Sequence, residues 1–207
     1  MTTWTLDPAH TQVNFSAKHM MVTTVRGKFD GVDGELHIDE TDPTRSSAEI
    51  RVEAASLSTG FDARDQHLRS PDFFDAGNHP LIVFRSAGIE QRDGERFRVT
   101  GDLTIRETTR PVTLDAELLG FYPGLDGSRR VGLSLRTKIN RKDWGLNWNV
   151  ALESGGWLVG EEIKLEIDVA ATEAVASAAD AAVEGAPDEQ VEATEREAAE
   201  QETVGVA

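Results

Sequence analysis

The sequence contains no cysteine, which removes disulfide frameworks, thiolate nucleophiles and cysteine-ligated zinc or iron–sulfur centres from consideration. Basic residues are scarce: 21 Lys and Arg stand against 37 Asp and Glu, for a net charge of −16. A polyphosphate partner needs a basic surface that releases counterions, so this balance argues against nucleic acid. Long apolar runs are missing too, and nothing approaches the roughly 20 residues that a membrane-spanning helix needs. The opening, MTTWTLDPAH, has neither a basic stretch nor an apolar core of the kind a secretory leader carries. It leads us to expect a cytoplasmic chain.

The chain does have 207 residues, 39% of them hydrophobic, enough for one sizeable core or two small ones in a globular protein. The charge is unevenly spread. Residues 172–207 hold ten acidic residues against the single Arg196, a net of −9, which leaves −7 for residues 1–171. This Ala- and Glu-rich segment has no aromatic residue and too little apolar surface to offset the entropy of ordering. It reads as a disordered acidic tail behind one folded domain, 1–171.

The body reads as all-β because its hydrophobic pattern has period 2. In RFRVTGDLTIR, Phe97, Val99, Gly101, Leu103 and Ile105 fall on one face, and Arg98, Thr100, Asp102, Thr104 and Arg106 on the other. The same alternation runs through Val13 to Lys18, Ala48 to Ala54, Val112 to Leu118, Val131 to Ile139 and Ile163 to Val169. Two shorter stretches, Val25 to Phe29 and Leu36 to Ile38, are expected to form a hairpin around DGVDGE. About eight strands result. Several run about ten residues, or about 33 Å, twice the usual length. The apolar faces mix large side chains with small ones (Ala17, Ala48, Ala54, Gly101, Ala116), a mixture compatible with space inside. These features fit an eight-stranded antiparallel barrel of lipocalin type, and they equally fit a sandwich or barrel with a filled core.

The segment DARDQHLRSPDFFDAGNHP (62–80) breaks this rhythm. Asp62 as N-cap, Asp65 in the first turn, Arg69 in the last and Pro71 as a stop predict one short helix. With Leu68, Phe73 and Phe74 it suits a lid across one barrel end, or a plug that completes the core.

At these residues the chain resembles the YceI-like family. DARDQHLRSPDFFDAGNHPLIVFRS is joined in order by WTLDPAHTQVNFSAKHMMVTTVRGKFDGVDGEL, VTGDLTIRETTRPVTL, and INRKDWGLNW leading into VGEEIKLEIDVAA. The resemblance spans about residues 3–171. It implies a lipocalin-like barrel that holds a long polyisoprenoid, such as a prenyl quinone precursor or prenyl phosphate, or in some relatives a fatty acid derivative. It implies a binding or carrier protein without catalysis or cofactor. Many members are periplasmic. Members often have Gly where this chain has Glu107, and the acidic tail is an addition.

A polyprenyl chain is nearly pure hydrocarbon, so a pore needs apolar walls and a few polar groups at the mouth. For the walls the alternation nominates Phe15, Val25, Phe29, Ile50, Val52, Phe84, Val99, Leu114, Leu133 and Leu165. For the mouth, His19, Arg64, Asp65, His67 and Arg141 offer donors and acceptors to a phosphate or quinone oxygen, beside Phe73, Phe74 and Trp144. Each has a plainer reading: the aliphatics as ordinary core, Arg64, Asp65 and His67 as a network locking the lid, Trp144 as a packing aromatic, His10 as a turn cap. His10, His19, His67 and His79 with Asp62, Asp65, Asp72 and Asp75 could also form a histidine–carboxylate metal site of a hydrolase. No HExxH, GxSxG or glycine-rich phosphate loop supports that. A protein-interaction module remains if the barrel is filled, and an exposed mouth or a long edge strand would support a homodimer.

Overall fold

The computed structural model describes residues 1–124, 127–153 and 155–174. Most of the expected acidic tail therefore lies outside the described residues. Eleven strand segments form one antiparallel sheet: β1 (Thr2–Leu6), β2 (Gln12–His19), β3 (Thr23–Phe29), β4 (Val32–Ile38), β5 (Ser47–Glu53), β6 (Leu57–Ser58), β7 (Leu81–Asp93), β8 (Arg96–Ile105), β9 (Thr108–Pro123), β10 (Arg129–Asn140) and β11 (Val159–Glu173). The sheet order is β1-β4-β5-β7-β8-β9-β10-β11, and β1 pairs back onto β11 to close the ring. The closed eight-stranded barrel is thus present, and β11 carries it to Glu173, two residues past the expected boundary.

The count of eight is reconciled with eleven segments because the first three staves are each broken in two. β11 pairs with β2 over Val159–Asp168 and with β1 over Ala171–Glu173. β2 pairs with β3 while β1 pairs with β4, and β3 pairs with β6 while β4 pairs with β5. The expected hairpin around DGVDGE is therefore wrong. β3 and β4 are consecutive halves of one stave, interrupted at Asp30–Gly31, and do not pair with each other. Gly34 is there for close approach: a Cβ on it would sit 2.3 Å from the Glu49 carbonyl oxygen. The hairpin turn lies earlier, at Met20–Val22 between β2 and β3.

The longest strands run 10 to 16 residues and make up the five unbroken staves of the wall, β7 to β11. On β11, Lys164, Glu166 and Asp168 face water while Ile163, Leu165 and Ile167 face in. An apolar interior with a charged exterior inverts the pattern of a membrane-spanning barrel, whose apolar band faces lipid. No helix among the described residues is long and apolar enough to cross a bilayer.

The sheet is left between β6 and β7 for residues 59–80. That excursion holds the one α-helix of the described residues, α1 (Asp62–Arg69). Its N-cap is Phe61, not Asp62, and no side chain caps it there. The entry is held instead from within the helix, where Asp65 accepts hydrogen bonds from the amide and hydroxyl of Thr59. At the other end Arg69 donates to the carbonyls of Ala55 and Leu57, which fixes the helix to the β6 side of the barrel.

Candidate ligand-binding pore

A cavity of about 640 Å³ occupies the barrel, within the roughly 300–1,000 Å³ typical of small-molecule sites. All ten wall positions expected from the alternation line it: Phe15, Val25, Phe29, Ile50, Val52, Phe84, Val99, Leu114, Leu133 and Leu165. Their burial is informative. Phe29, Val52, Val99 and Leu114 are buried, whereas Phe15, Ile50, Phe84, Leu133 and Leu165 are only half-buried although they point inward. In a filled core such residues would be close-packed on all sides; half-burial on an inner face means open space in front of it.

The small residues act less directly than their size suggests. Phe15 lies opposite Gly27 on the neighbouring strand, with its ring 2.4 Å from where a Gly27 Cβ would be, and the Phe84 ring stands 2.6 Å from the same point on Gly101. The glycines let two rings lie flat against the wall. Ala17, Ala48 and Ala116 line the cavity itself.

The strand directions place the Met20–Val22 turn, the start of β7, the β8–β9 turn and the ends of β10 and β6 at one end, together with α1. Here the cavity is lined by His19, Arg64, His67, Phe73, Phe74 and Arg141, and also by Phe61, Leu146, Trp148, Leu158 and Val159. The rings interlock. His67 meets Trp148 edge-on at 4.5 Å and Phe73 at 5.1 Å, while Phe74 meets Phe29 at 5.7 Å, which in turn meets Phe15 at 5.4 Å. The segment after α1 therefore closes over the bore as an aromatic layer. At the opposite end Trp4, Val131 and Ala171 are fully buried, and the Arg129 guanidinium lies 5.4 Å over both Trp4 and Phe121 while bonding Glu40 and Glu173. The lining at that end includes Asp39. Its carboxyl is held below the usual carboxylate range, chiefly by the Thr41 hydroxyl and then the Asp42 amide, with Arg45 adding to both.

Of the mouth residues, Asp65 and Trp144 do not line the cavity. Asp65 is buried and spent on Thr59. Trp144 is buried beneath the rim, where its indole donates to the Leu103 carbonyl at 2.9 Å. We expect Trp144→Phe to cost about 1–2 kcal/mol through the lost hydrogen bond and to leave uptake of an apolar fluorescent probe by the cavity unchanged; a fall in uptake at unchanged thermal stability would reinstate Trp144 as a pore wall.

The remaining polar groups differ in what they have left to offer. Arg141 lines the cavity but is 4% exposed, and it donates to the carbonyls of Gly160, Leu146, Trp148 and Val159. Burial pulls its pKa below the ordinary guanidinium value. It is a staple for the loop between β10 and β11 and has little donor capacity for a ligand. Arg64 gives its Nε to the Thr59 hydroxyl and one terminal nitrogen to the Thr59 carbonyl. His67 Nε2 sits 2.9 Å from Asp72. Among the described residues the His19 imidazole makes no hydrogen bond, which leaves both its nitrogens open.

Phe61, Leu146, Trp148, Leu158 and Val159 escaped the sequence reading. Trp148 closes the motif RKDWGLNW, in which Trp144 drew attention first; an indole four residues after a rim tryptophan was the available signal. The histidines are dispersed. His10 caps a turn through Asp7 at 2.8 Å, and His79 sits 3.7 Å from Asp75. No cluster of three or more His, Asp or Glu among the described residues is arranged to hold a metal.

The same architecture is found in known proteins. The solved structure of Burkholderia cenocepacia BcnA superposes with a TM-score of 0.68 at 21% identity, covering 80% of this chain and 98% of that one. The Campylobacter jejuni YceI protein gives 0.66 at 30% identity, covering 76% and 90%. A polyisoprenoid-binding domain from Saccharophagus degradans, implicated in plant cell wall breakdown, gives 0.61 at 15% identity, covering 84% and 100%. In sequence, a UPF0312 protein of Staphylococcus aureus (strain bovine RF122 / ET3-1) is 37% identical over 167 residues, 80% of this chain and 95% of the relative. Residues 4–171, the whole closed barrel but for its outermost residues, match the YceI-like domain, and the chain therefore belongs to the YceI-like family.

Proposed function

We propose that this protein binds a long-chain, isoprenoid-like amphiphile in its barrel and carries or stores it without transforming it. The observation that carries this reading is the half-buried apolar inner wall around a cavity of about 640 Å³. Burying hydrocarbon is worth about 0.8 kcal/mol per CH₂, so a prenyl chain filling such a bore gains enough to exceed the cost of association and ordering. Selectivity is left to bore shape and to the head. His19, Arg64 and His67 stand at the lid end, where an imidazole or guanidinium can donate to a phosphate or quinone oxygen. The similar Saccharophagus degradans domain, described as polyisoprenoid-binding, supports the same ligand class.

The test is organic extraction and mass spectrometry of protein purified without detergent. A polyprenyl species in near-stoichiometric amount is the expected result. A fatty acid or fatty amide in its place would keep the pore and change the ligand. An empty extract, combined with failure to take up any chain on incubation, would overturn the proposal.

A further inference from the structure

The Met20–Val22 turn breaks two local rules at once. Its two central residues, Met20 and Met21, have φ of 51° and 61°, and the Val22 amide donates to the His19 carbonyl at 3.1 Å. A turn with positive φ at both central positions favours Asn-Gly; a long side chain there carries a backbone cost. The side chains of this tip are moreover left in water: Met20 is 47%, Met21 71% and Val22 80% exposed. Backbone strain at Met20 and Met21 and exposed hydrocarbon across the whole tip are both unfavourable to the isolated fold, and an outlier of this kind points to a use.

The surroundings indicate the use. Phe61, Val150 and Trp157 are also exposed and lie at this end of the barrel. The Met20 amide donates to the Leu158 carbonyl at 2.8 Å, and Met21 Sδ packs beside Gly156. Phe61 and Leu158 line the cavity as well, so apolar side chains reach from the bore to the rim. Resting on the binding function proposed above, we propose that this rim docks on a lipid bilayer, so that a chain passes between membrane and bore without crossing water. The apolar groups stand on a hairpin tip and loops, which suits insertion among head groups. A second copy seated there would block the opening. Residues 1–171 carry −7, so the body gains no long-range attraction to anionic lipid, and insertion of hydrocarbon into a zwitterionic surface is the contact proposed.

The test compares the full chain with the double variant Met20→Asn/Met21→Gly, whose turn residues suit the backbone and should raise thermal stability. Flotation with palmitoyl-oleoyl phosphatidylcholine vesicles should recover the native chain and lose the variant. Transfer of a fluorescently labelled geranylgeraniol from those vesicles should slow by about tenfold or more in the variant, as two methionine side chains are removed from the contact, while loading of the same probe from detergent micelles stays equal. Equal flotation and transfer by both proteins would overturn docking. So would a dimer of the native chain that the variant abolishes while vesicle transfer is unaffected. Failure of both proteins to load from micelles would refute the binding function instead, and flotation alone would then decide the docking.

Discussion

Leu165→Asp should weaken uptake of a polyprenyl chain by about a thousandfold at pH 7, and the adjacent Lys164→Asp should leave it unchanged. The two positions are consecutive on β11. Leu165 lines the cavity, whereas Lys164 is exposed on the outer wall. A carboxylate facing a bore full of hydrocarbon must either stay charged without solvent or take up a proton. Protonation limits the cost: holding an ordinary aspartate neutral at pH 7 takes about 4 kcal/mol, about three decades in affinity. The sign of the pH dependence follows. The neutral form is the one compatible with ligand, so affinity should recover as pH falls toward 5. Leu165 is a better probe than Phe84, whose ring also covers Gly101 and whose loss would unpack the wall. Circular dichroism checks the fold, and titration with a fluorescent prenyl probe checks the affinity. Equal binding by both variants, or a loss that does not recover in acid, would refute the assignment of the inner face.

Arg141→Lys should destabilise the protein by about 2–4 kcal/mol, or lower the melting temperature by roughly 5–15 °C, despite keeping the charge. The guanidinium reaches four carbonyls in fork geometry from a site that is 4% exposed. An ammonium cannot span them, so buried acceptors are left unpaired. The effect extends to the mouth. The stapled loop carries Leu146, Trp148 and Leu158 and runs into Val159 at the start of β11, and the Arg141 guanidinium lies 5.9 Å over the Phe73 ring of the lid. Ligand release should therefore quicken as well. Differential scanning calorimetry and stopped-flow release of a bound probe measure the two effects. A change in stability under about 1 kcal/mol would mean the staple contributes less than its geometry indicates.

The regular part of the barrel was legible because a strand has period 2, and a residue's parity fixes its face once one face is buried. That is why Phe15 through Leu165 could be placed on the inner wall one by one. The irregular part was not. Asp65 and Arg141 have the composition of a mouth, yet both are consumed by the backbone around them, a matter of which carbonyls and amides the chain brings near. Trp144 ends a single 3-10 turn, Arg141–Trp144, and Trp148 lies in the loop after it; their placements are opposite, and so short a stretch carries no periodicity to separate them. The glycines of DGVDGE predict a turn, since turns are their commonest use. Here Gly34 serves the close approach of β4 to β5, which depends on a partner strand that local sequence does not name.

The sequence by itself determined the strand content, the inward and outward faces, the short helix at 62–69 and the family. All follow from local periodicity or from ordered motifs. Tertiary structure alone decided three things: that the ring closes through β1 and β11, that the first three staves break, and that the half-buried inner wall encloses space. Closure and emptiness are properties of how faces from distant segments meet, and alternation along one strand carries no information about the distance to the strand across the barrel.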